Sequence, residues 1–432
     1  MRVALVNPPW TFEGSIYFGC REPHLPLEYG YAKALLEAAG HQVVVVDAQL
    51  GGLGLDDVRC VLEGYEPELT VVTTAPSYLF WRCAPPELRV PKLLVAAIRD
   101  VAGVLAVVGP HASTTPHTTL RKLDVDVAVV GECEEVLVRL ASTPRAHWPS
   151  LESVVLPSSH SEAPAPAHAE CDMKALPPLR WDADFVARHA HHHHRFDRPP
   201  GGTGAEVEAS RGCPYHCTFC AKDNFRNGFR RRPLQVVLDE IDALVAQGVE
   251  YVYFVDEIFL PWHELLESLC RRDVEIGAQL RIDNWDEASL ELLGRAGCVS
   301  IEAGVESITP QGRSLLAKNC RKSTDELTRL LLHAKKHVPF VQANLIEAKT
   351  DRPDDVARWR ENLQTHGVWS NEPVPMFPYP GSPDYTLRWG PPDDKAWERA
   401  HEYYLAQFRS FSDIQESRPQ PLPRLEACSA AE

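Results

Sequence analysis

No run of apolar residues in this chain approaches the roughly 18 of a membrane-spanning helix, so no span is expected. An excess of positive charge is also missing: 60 Asp and Glu stand against 44 Lys and Arg, a formal net charge of −16. That balance argues against a nucleic-acid partner, which would need a basic face to displace phosphate counterions. No secretory leader is legible either. Met1-Arg-Val-Ala-Leu-Val-Asn-Pro-Pro reads as a short buried strand cut off by prolines. The expected compartment is the cytoplasm, where the 12 cysteines are reduced thiols or metal ligands rather than a disulfide framework. Nine of them (Cys20, Cys60, Cys83, Cys133, Cys171, Cys270, Cys298, Cys320 and Cys428) lack ligand spacing and read mostly as small buried apolar residues.

The other three are regularly placed. Cys213, Cys217 and Cys220 are spaced C-x3-C-x2-C, after Ser210-Arg211-Gly212 and before Lys222. Three thiolates do not complete a tetrahedral zinc site, although His216 could add a fourth ligand. They can hold three irons of a cubane cluster and leave the fourth open, a place to bind and cleave something. Gly212 and Pro214 let the loop wrap a bulky cluster, and Arg211 and Lys222 are expected to favour thiolates.

The first 145 residues alternate apolar strands (Val3–Val6, Gln42–Val46, Leu69–Val72, Val104–Val108, Val125–Val130) with helices (Leu27–Ala39, Asp56–Gly64, Pro91–Val101, Thr118–Leu123). Fully apolar strands between helices predict an α/β domain, a doubly wound Rossmann-like parallel sheet. Residues 146–203, broken by prolines, predict a linker draped over both neighbours. It holds His189, His191, His192, His193 and His194, read as an exposed polar loop with a metal or substrate-facing patch as the alternative. Residues 204–390 predict a β/α barrel or partial barrel, with strands Ala205–Ala209, Tyr251–Val255, Gln279–Ile282, Ser300–Ala303, Phe340–Ile346 and Val374–Met376 and a site at their C-terminal ends. Residues 391–432 predict a helix, Asp394–Phe408, and a poorly ordered Pro-rich tail. Arg226, Arg230, Arg231 and Arg232 read as a solvated helix start, or as a contact for an anionic cofactor or substrate.

The cysteine spacing, with Phe219 before the last cysteine, resembles the radical SAM signature. Further motifs follow in order. Asp256-Glu257 resembles the acidic motif that accepts hydrogen bonds from the methionyl ammonium, and Gln279-Leu-Arg281-Ile-Asp283 the third-strand motif. Ile301-Glu302-Ala-Gly304-Val-Glu306-Ser307 resembles the fourth-strand motif near ribose and methionine, and Phe377-Pro-Tyr-Pro-Gly381-Ser-Pro383 the closing segment. The resemblance implies a 4Fe-4S cluster on Cys213, Cys217 and Cys220. It also implies S-adenosylmethionine contacts from Phe219, Asp256, Glu257, Arg281, Asp283, Glu302, Glu306 and Ser307. In that superfamily the open iron chelates S-adenosylmethionine, and one electron cleaves it to a 5′-deoxyadenosyl radical. The fifth strand departs from the pattern: Val341-Gln-Ala-Asn344-Leu-Ile-Glu347 stands where many relatives carry a Gly-Leu-Pro-Gly-type turn.

The front domain is similar to the cobalamin-binding domain of the cobalamin-dependent radical SAM enzymes. The likeness rests on Asn7-Pro8-Pro9, Thr74-Ala-Pro-Ser77-Tyr78, Gly109-Pro-His111-Ala-Ser113 and Gly131-Glu132-Cys133-Glu134. It implies cobalamin contacts from Asn7, Pro8, Thr74, Ser77, Gly109, His111, Ser113, Gly131 and Glu132. The Asp-x-His-x-x-Gly motif is absent after the first strand, so His111 is expected to touch the nucleotide tail rather than ligate cobalt. The activity implied is methylation of an unactivated carbon of a small metabolite, lipid or natural-product intermediate, with an electron donor such as flavodoxin or ferredoxin. Radical cyclisation, ring contraction or rearrangement is the alternative, and a non-catalytic sensor a third reading. Trp10, Tyr17, Tyr78, Trp81, Trp285, Asn344 and Tyr379 are candidate substrate contacts.

Overall fold

Five apolar runs become parallel strands of one sheet: β1 (Arg2–Asn7), β2 (Gln42–Asp47), β3 (Leu69–Thr73), β4 (Val104–Val108) and β5 (Val127–Val129), in the order β2-β1-β3-β4-β5. The computed structural model describes residues 1–16, 22–76, 84–157, 167–189, 203–226, 228–408 and 418–427. Tyr17, Ser77, Tyr78, Trp81, His191 to His194 and Cys428 lie outside them. Val3, Leu5 and Val71 face one core, while Ala4, Val6 and Val72 face another. Both faces are buried, which is why the strands are apolar throughout. The strand order reverses between β1 and β3, and doubly wound sheets take ligands at that crevice.

The segment after residue 145 does more than drape. It adds β6 (Val154–Val155) antiparallel to β5, and Ala169 bridges to Gly131. Met173, Leu176, Leu179 and Val186 sink into the core shared with the second domain. A two-residue strand and a lone bridge carry no periodicity, so the sequence pattern passes over them. The helix Glu134–Ser142 is also an addition to the pattern read from sequence.

The second sheet holds six parallel strands in chain order: β7 (Thr203–Val207), β10 (Val249–Phe254), β11 (Glu275–Leu280), β12 (Cys298–Glu306), β13 (Phe340–Leu345) and β14 (Trp369–Ser370). Between β7 and β10, an antiparallel pair, β8 (Ser210–Arg211) and β9 (Arg230–Arg231), brackets the cysteine loop. This is the expected partial barrel, with β7 and β14 as edges. The last strand lies earlier than expected. Val374 makes only a bridge to Ile346, because Pro373 and Pro375 remove the neighbouring donors. Residues 418–427 are docked on the fold: Leu422 and Leu425 are buried, and Lys122 pairs with Glu398 at 2.6 Å and Glu426 at 2.9 Å. Among the described residues no helix is long and apolar enough to cross a membrane.

Three of the arginines that read as a solvated patch lie instead in a largely buried ion network, and Arg231 stays outside it, its guanidinium 4.9 Å over the Trp262 ring. Arg211, fully buried, meets Glu132 at 2.8 Å and Glu134 at 2.9 Å from the front domain, and Glu208 at 2.8 Å beside β7. Arg226 reaches Glu208 at 3.3 Å and also pairs with Glu257. Arg230 pairs with Glu132, and Arg232 meets Glu240 at 2.8 Å. Burial works to raise the Glu132 carboxyl, but Arg211 and Arg230 overcome it and hold it below its usual range. Removing one partner of such a buried pair strands a charge, at a cost of roughly 3–5 kcal/mol. Glu132→Ala is therefore expected to lower the thermal midpoint and expose the interdomain segment to limited proteolysis. Arg358→Ala, at an exposed pair, is expected to leave both unchanged.

Candidate active site

The cysteine loop is held from several directions. Gly212 opens it at φ +78°, and a Cβ there would lie 2.0 Å from the Gly228 carbonyl oxygen, so only glycine fits. Gly212 N–H donates to Glu257 Oε2 at 2.7 Å. Ala209 N–H donates to Asp256 Oδ1 at 2.8 Å, and the Ser210 hydroxyl to Asp256 Oδ2. Farther along, Thr218 N–H donates to Leu316 O at 3.0 Å, and Thr218 O accepts from Asp384 N–H at 2.8 Å. Asn224 Nδ2 donates to Pro380 O at 2.7 Å, so the closing segment grips the loop.

Cys213, Cys217 and Cys220 are half-buried thiols that line one cavity of about 260 Å³. Phe219, Glu257, Arg281, Glu302 and Glu306, which the motifs single out, line it with them. Lys222, Gln279, Lys318 and Asn344 line it too. Lys318, which no motif signals, donates to Gly304 O at 3.0 Å and pairs with Glu306. Glu306 sits at φ +62°, a conformation costly for a side chain of its size, at the end of β12.

Asp256, Asp283 and Ser307 do not reach the cavity lining. Burial pushes the Asp256 carboxyl up to about 8, so at neutral pH it is mostly protonated and serves the loop backbone. This corrects its reading as an acceptor for an ammonium. Asp283 grips Arg281 at 2.7 Å and 3.2 Å. Ser307 Oγ donates to Asp351 at 2.7 Å. Without a cluster, burial raises the Cys213 thiol against the pull of Lys222, and burial with Glu306 pushes Cys217 up to about 11, while Arg211 is spent on its glutamates. His216 is exposed, 3.4 Å from Asp223, and is absent from the cavity lining, which weakens the zinc reading.

The donor set fits an iron–sulfur cluster with one iron left free of protein ligands. The cavity also fits an amino-acid carboxylate. Arg281 stacks 3.7 Å over the Tyr215 ring, donates to Asp283 and to Lys318 O at 2.5 Å, and keeps Nη1 buried with no hydrogen-bond partner. A buried guanidinium N–H without an acceptor is costly, and a ligand carboxylate would satisfy it.

The front-domain candidates divide. Asn7 ends β1, accepts from Trp10 Nε1 at 2.7 Å and donates to Asp47 Oδ1 at 3.0 Å. Asp47, at the end of β2, also accepts from Leu50 N–H at 2.9 Å, and its carboxyl is pushed up to about 6 by burial. Pro8, Thr74 and Gly109 lie at the ends of β1, β3 and β4. His111 is committed elsewhere: it stacks on Trp397 at 4.0 Å, and burial pushes its ring down to about 3. Ser113 Oγ accepts from Gly131 N–H at 3.0 Å, Gly131 lets Ala169 approach, and Glu132 belongs to the ion network. Trp285 is core rather than contact surface. His189 is buried, 2.9 Å from Glu206, so it leaves the exposed tract to which the sequence assigned it.

Residues 207–359 match the radical SAM superfamily. An uncharacterized methyltransferase of Pyrococcus horikoshii is 23% identical over 333 residues, 74% of this chain and 68% of that protein. An anaerobic magnesium-protoporphyrin IX monomethyl ester cyclase of Rubrivivax gelatinosus is 26% identical over 329 residues, 71% of this chain and 56% of the cyclase. Among solved structures, the radical S-adenosylmethionine methyltransferase TsrM from Kitasatospora setae, with cobalamin and a 4Fe-4S cluster bound, aligns with a TM-score of 0.68. The alignment covers 89% of this chain and 76% of that one at 18% identity, a likeness of fold.

Gly212→Ala is expected to keep the fold by circular dichroism while its iron content after reconstitution drops severalfold below wild type. Asp256→Asn tests the neutral carboxyl. The native pKa of about 8 lies above the ordinary 3.8, so the folded state keeps a proton that the unfolded chain releases across that window. This contribution is fully present below about pH 4 and is lost as pH rises to about 8. In urea titrations, wild type should lose stability relative to Asp256→Asn over that range, with a level difference above it.

Proposed function

We propose that this chain, whose residues 207–359 form a domain of the radical SAM superfamily, transfers a methyl group from S-adenosylmethionine to an unactivated carbon of a small molecule. The observation that carries the reading is Arg281, which lines the cavity that all three cysteines line and whose buried Nη1 makes no hydrogen bond. When bound, a 4Fe-4S cluster supplies one-electron cleavage of S-adenosylmethionine, and cobalamin supplies methyl carriage. Cys213, Cys217 and Cys220 would hold the cluster. Arg281, oriented by Asp283 and by the Tyr215 ring, would take the carboxylate of S-adenosylmethionine. Glu257 and Glu302 offer acceptors for its ammonium and ribose hydroxyls, and Lys318 fixes Glu306 beside them. Asn7, Pro8, Thr74 and Gly109 would meet cobalamin and its amide side chains at the crevice. Asn344, hydrogen-bonded to Gln342 at 2.6 Å, gives the substrate a polar partner. Flavodoxin or ferredoxin would serve as electron donor.

The methyltransferase relative and the TsrM fold support methyl transfer. The cyclase relative supports a second reading, ring formation without methyl transfer. Methyl-labelled S-adenosylmethionine separates them. Label in an acceptor product supports the first; S-adenosylmethionine consumed while the acceptor is altered without label supports the second. Arg281→Met is expected to weaken S-adenosylmethionine binding at least about 10-fold, the value of a hydrogen bond to a charged group, with iron content unchanged. Equilibrium dialysis reads the difference. Cys217→Ala is expected to abolish cleavage of S-adenosylmethionine altogether.

A further inference from the structure

The outer face of the barrel gathers a second set of metal-ligating side chains, far in the fold from the cysteines. Glu291 lies on the helix Glu287–Arg295, His333 on the helix Thr324–Lys335, and His337 just beyond its end. One ligand atom from each lies within 4.8 Å of the other two. His333 Nε2 and Glu291 Oε1 are 3.3 Å apart. Two ligands on a tetrahedral zinc ion, each about 2.05 Å from it, are separated by about 3.3 Å. That separation would also suit a hydrogen bond, but His333 Nε2 is buried and makes none. The nitrogen and the carboxylate approach each other without the direction that an N–H donor needs, as two ligands of one ion do.

We infer that Glu291, His333 and His337 form a divalent-metal site of zinc type, with water as the fourth ligand. Imidazole and carboxylate donors suit such an ion. His333 lines a cavity of about 780 Å³, which leaves room for that water. Two neighbouring cations are engaged elsewhere, Arg329 with Glu287 at 3.5 Å and Lys335 with Pro339 O, while Lys336 lines the same cavity. The Thr324–Lys335 helix leads into β13, so the site lies toward the N-terminal strand ends, opposite the cysteine cavity. The ion clamps two outer helices at the closed end of the barrel and takes no part in the chemistry.

The test uses cluster-loaded protein, so that the cysteines are occupied, dialysed against zinc chloride and then against metal-free buffer. Zinc and iron are counted by mass spectrometry. Wild type is expected to hold one more zinc per chain than His333→Gln and Glu291→Gln at equal iron content. Other zinc sites, the histidine tract included, cancel in that difference. Equal zinc in wild type and the variants overturns the site. If His333→Gln fails to fold by circular dichroism, the isosteric Glu291→Gln decides alone.

Discussion

The fully buried guanidinium of Arg211 is the constraint on which the rest of the structure depends. It lies two residues before Cys213, yet its partners Glu132 and Glu134 come from the front domain and Glu208 from beside β7. The Tyr31 ring of the front domain stacks near it, 5.8 Å from Arg211 and 5.1 Å from Arg232. Desolvating such charges costs several kcal/mol each, so the arrangement is tolerable only when every partner is in place. Docking of the two sheets and the shape of the cysteine loop are thereby one condition rather than two.

The contacts continue to the cavity wall. Glu208 joins Arg211 to Arg226, Arg226 pairs with Glu257, and Glu257 receives the N–H of Gly212 at the root of the loop. Asp256, the adjacent residue, turns the other way and holds Ala209 and Ser210. One strand end therefore serves both the backbone that carries the thiols and the cavity they face. Arg281 is built with the same economy, since Asp283, Tyr215 and the Lys318 carbonyl fix its Nε and Nη2 side and leave Nη1 without a hydrogen bond. Such support holds a site to the narrow tolerances that positioned chemistry requires.

The first sheet is legible in the sequence because its strands are buried on both faces and read as continuous apolar runs. The second is legible because short strands alternate with helices, although polar residues such as Glu206, Glu302 and Gln342 interrupt them. The cysteine spacing is legible because three ligands for one cluster sit on one loop. The ion network is not. Arg226, Arg230 and Arg232 form a local block of one sign, and their counter-charges at Glu132, Glu208, Glu240 and Glu257 are scattered along the chain. For the same reason Glu132 reads as a cofactor contact when it is a latch. His111 resembles a tail contact until Trp397, almost 290 residues later, covers its ring. Lys318 sits in a turn with no motif around it, and only the fold brings it to Glu306.

The central claim is that the cysteine cavity joins an open iron to S-adenosylmethionine through Arg281. Electron paramagnetic resonance of the reduced, reconstituted protein tests it most directly. A cubane iron–sulfur signal is expected that changes when S-adenosylmethionine is added to wild type and does not change in Arg281→Met at the same concentration. A wild-type signal identical with and without saturating S-adenosylmethionine would contradict it.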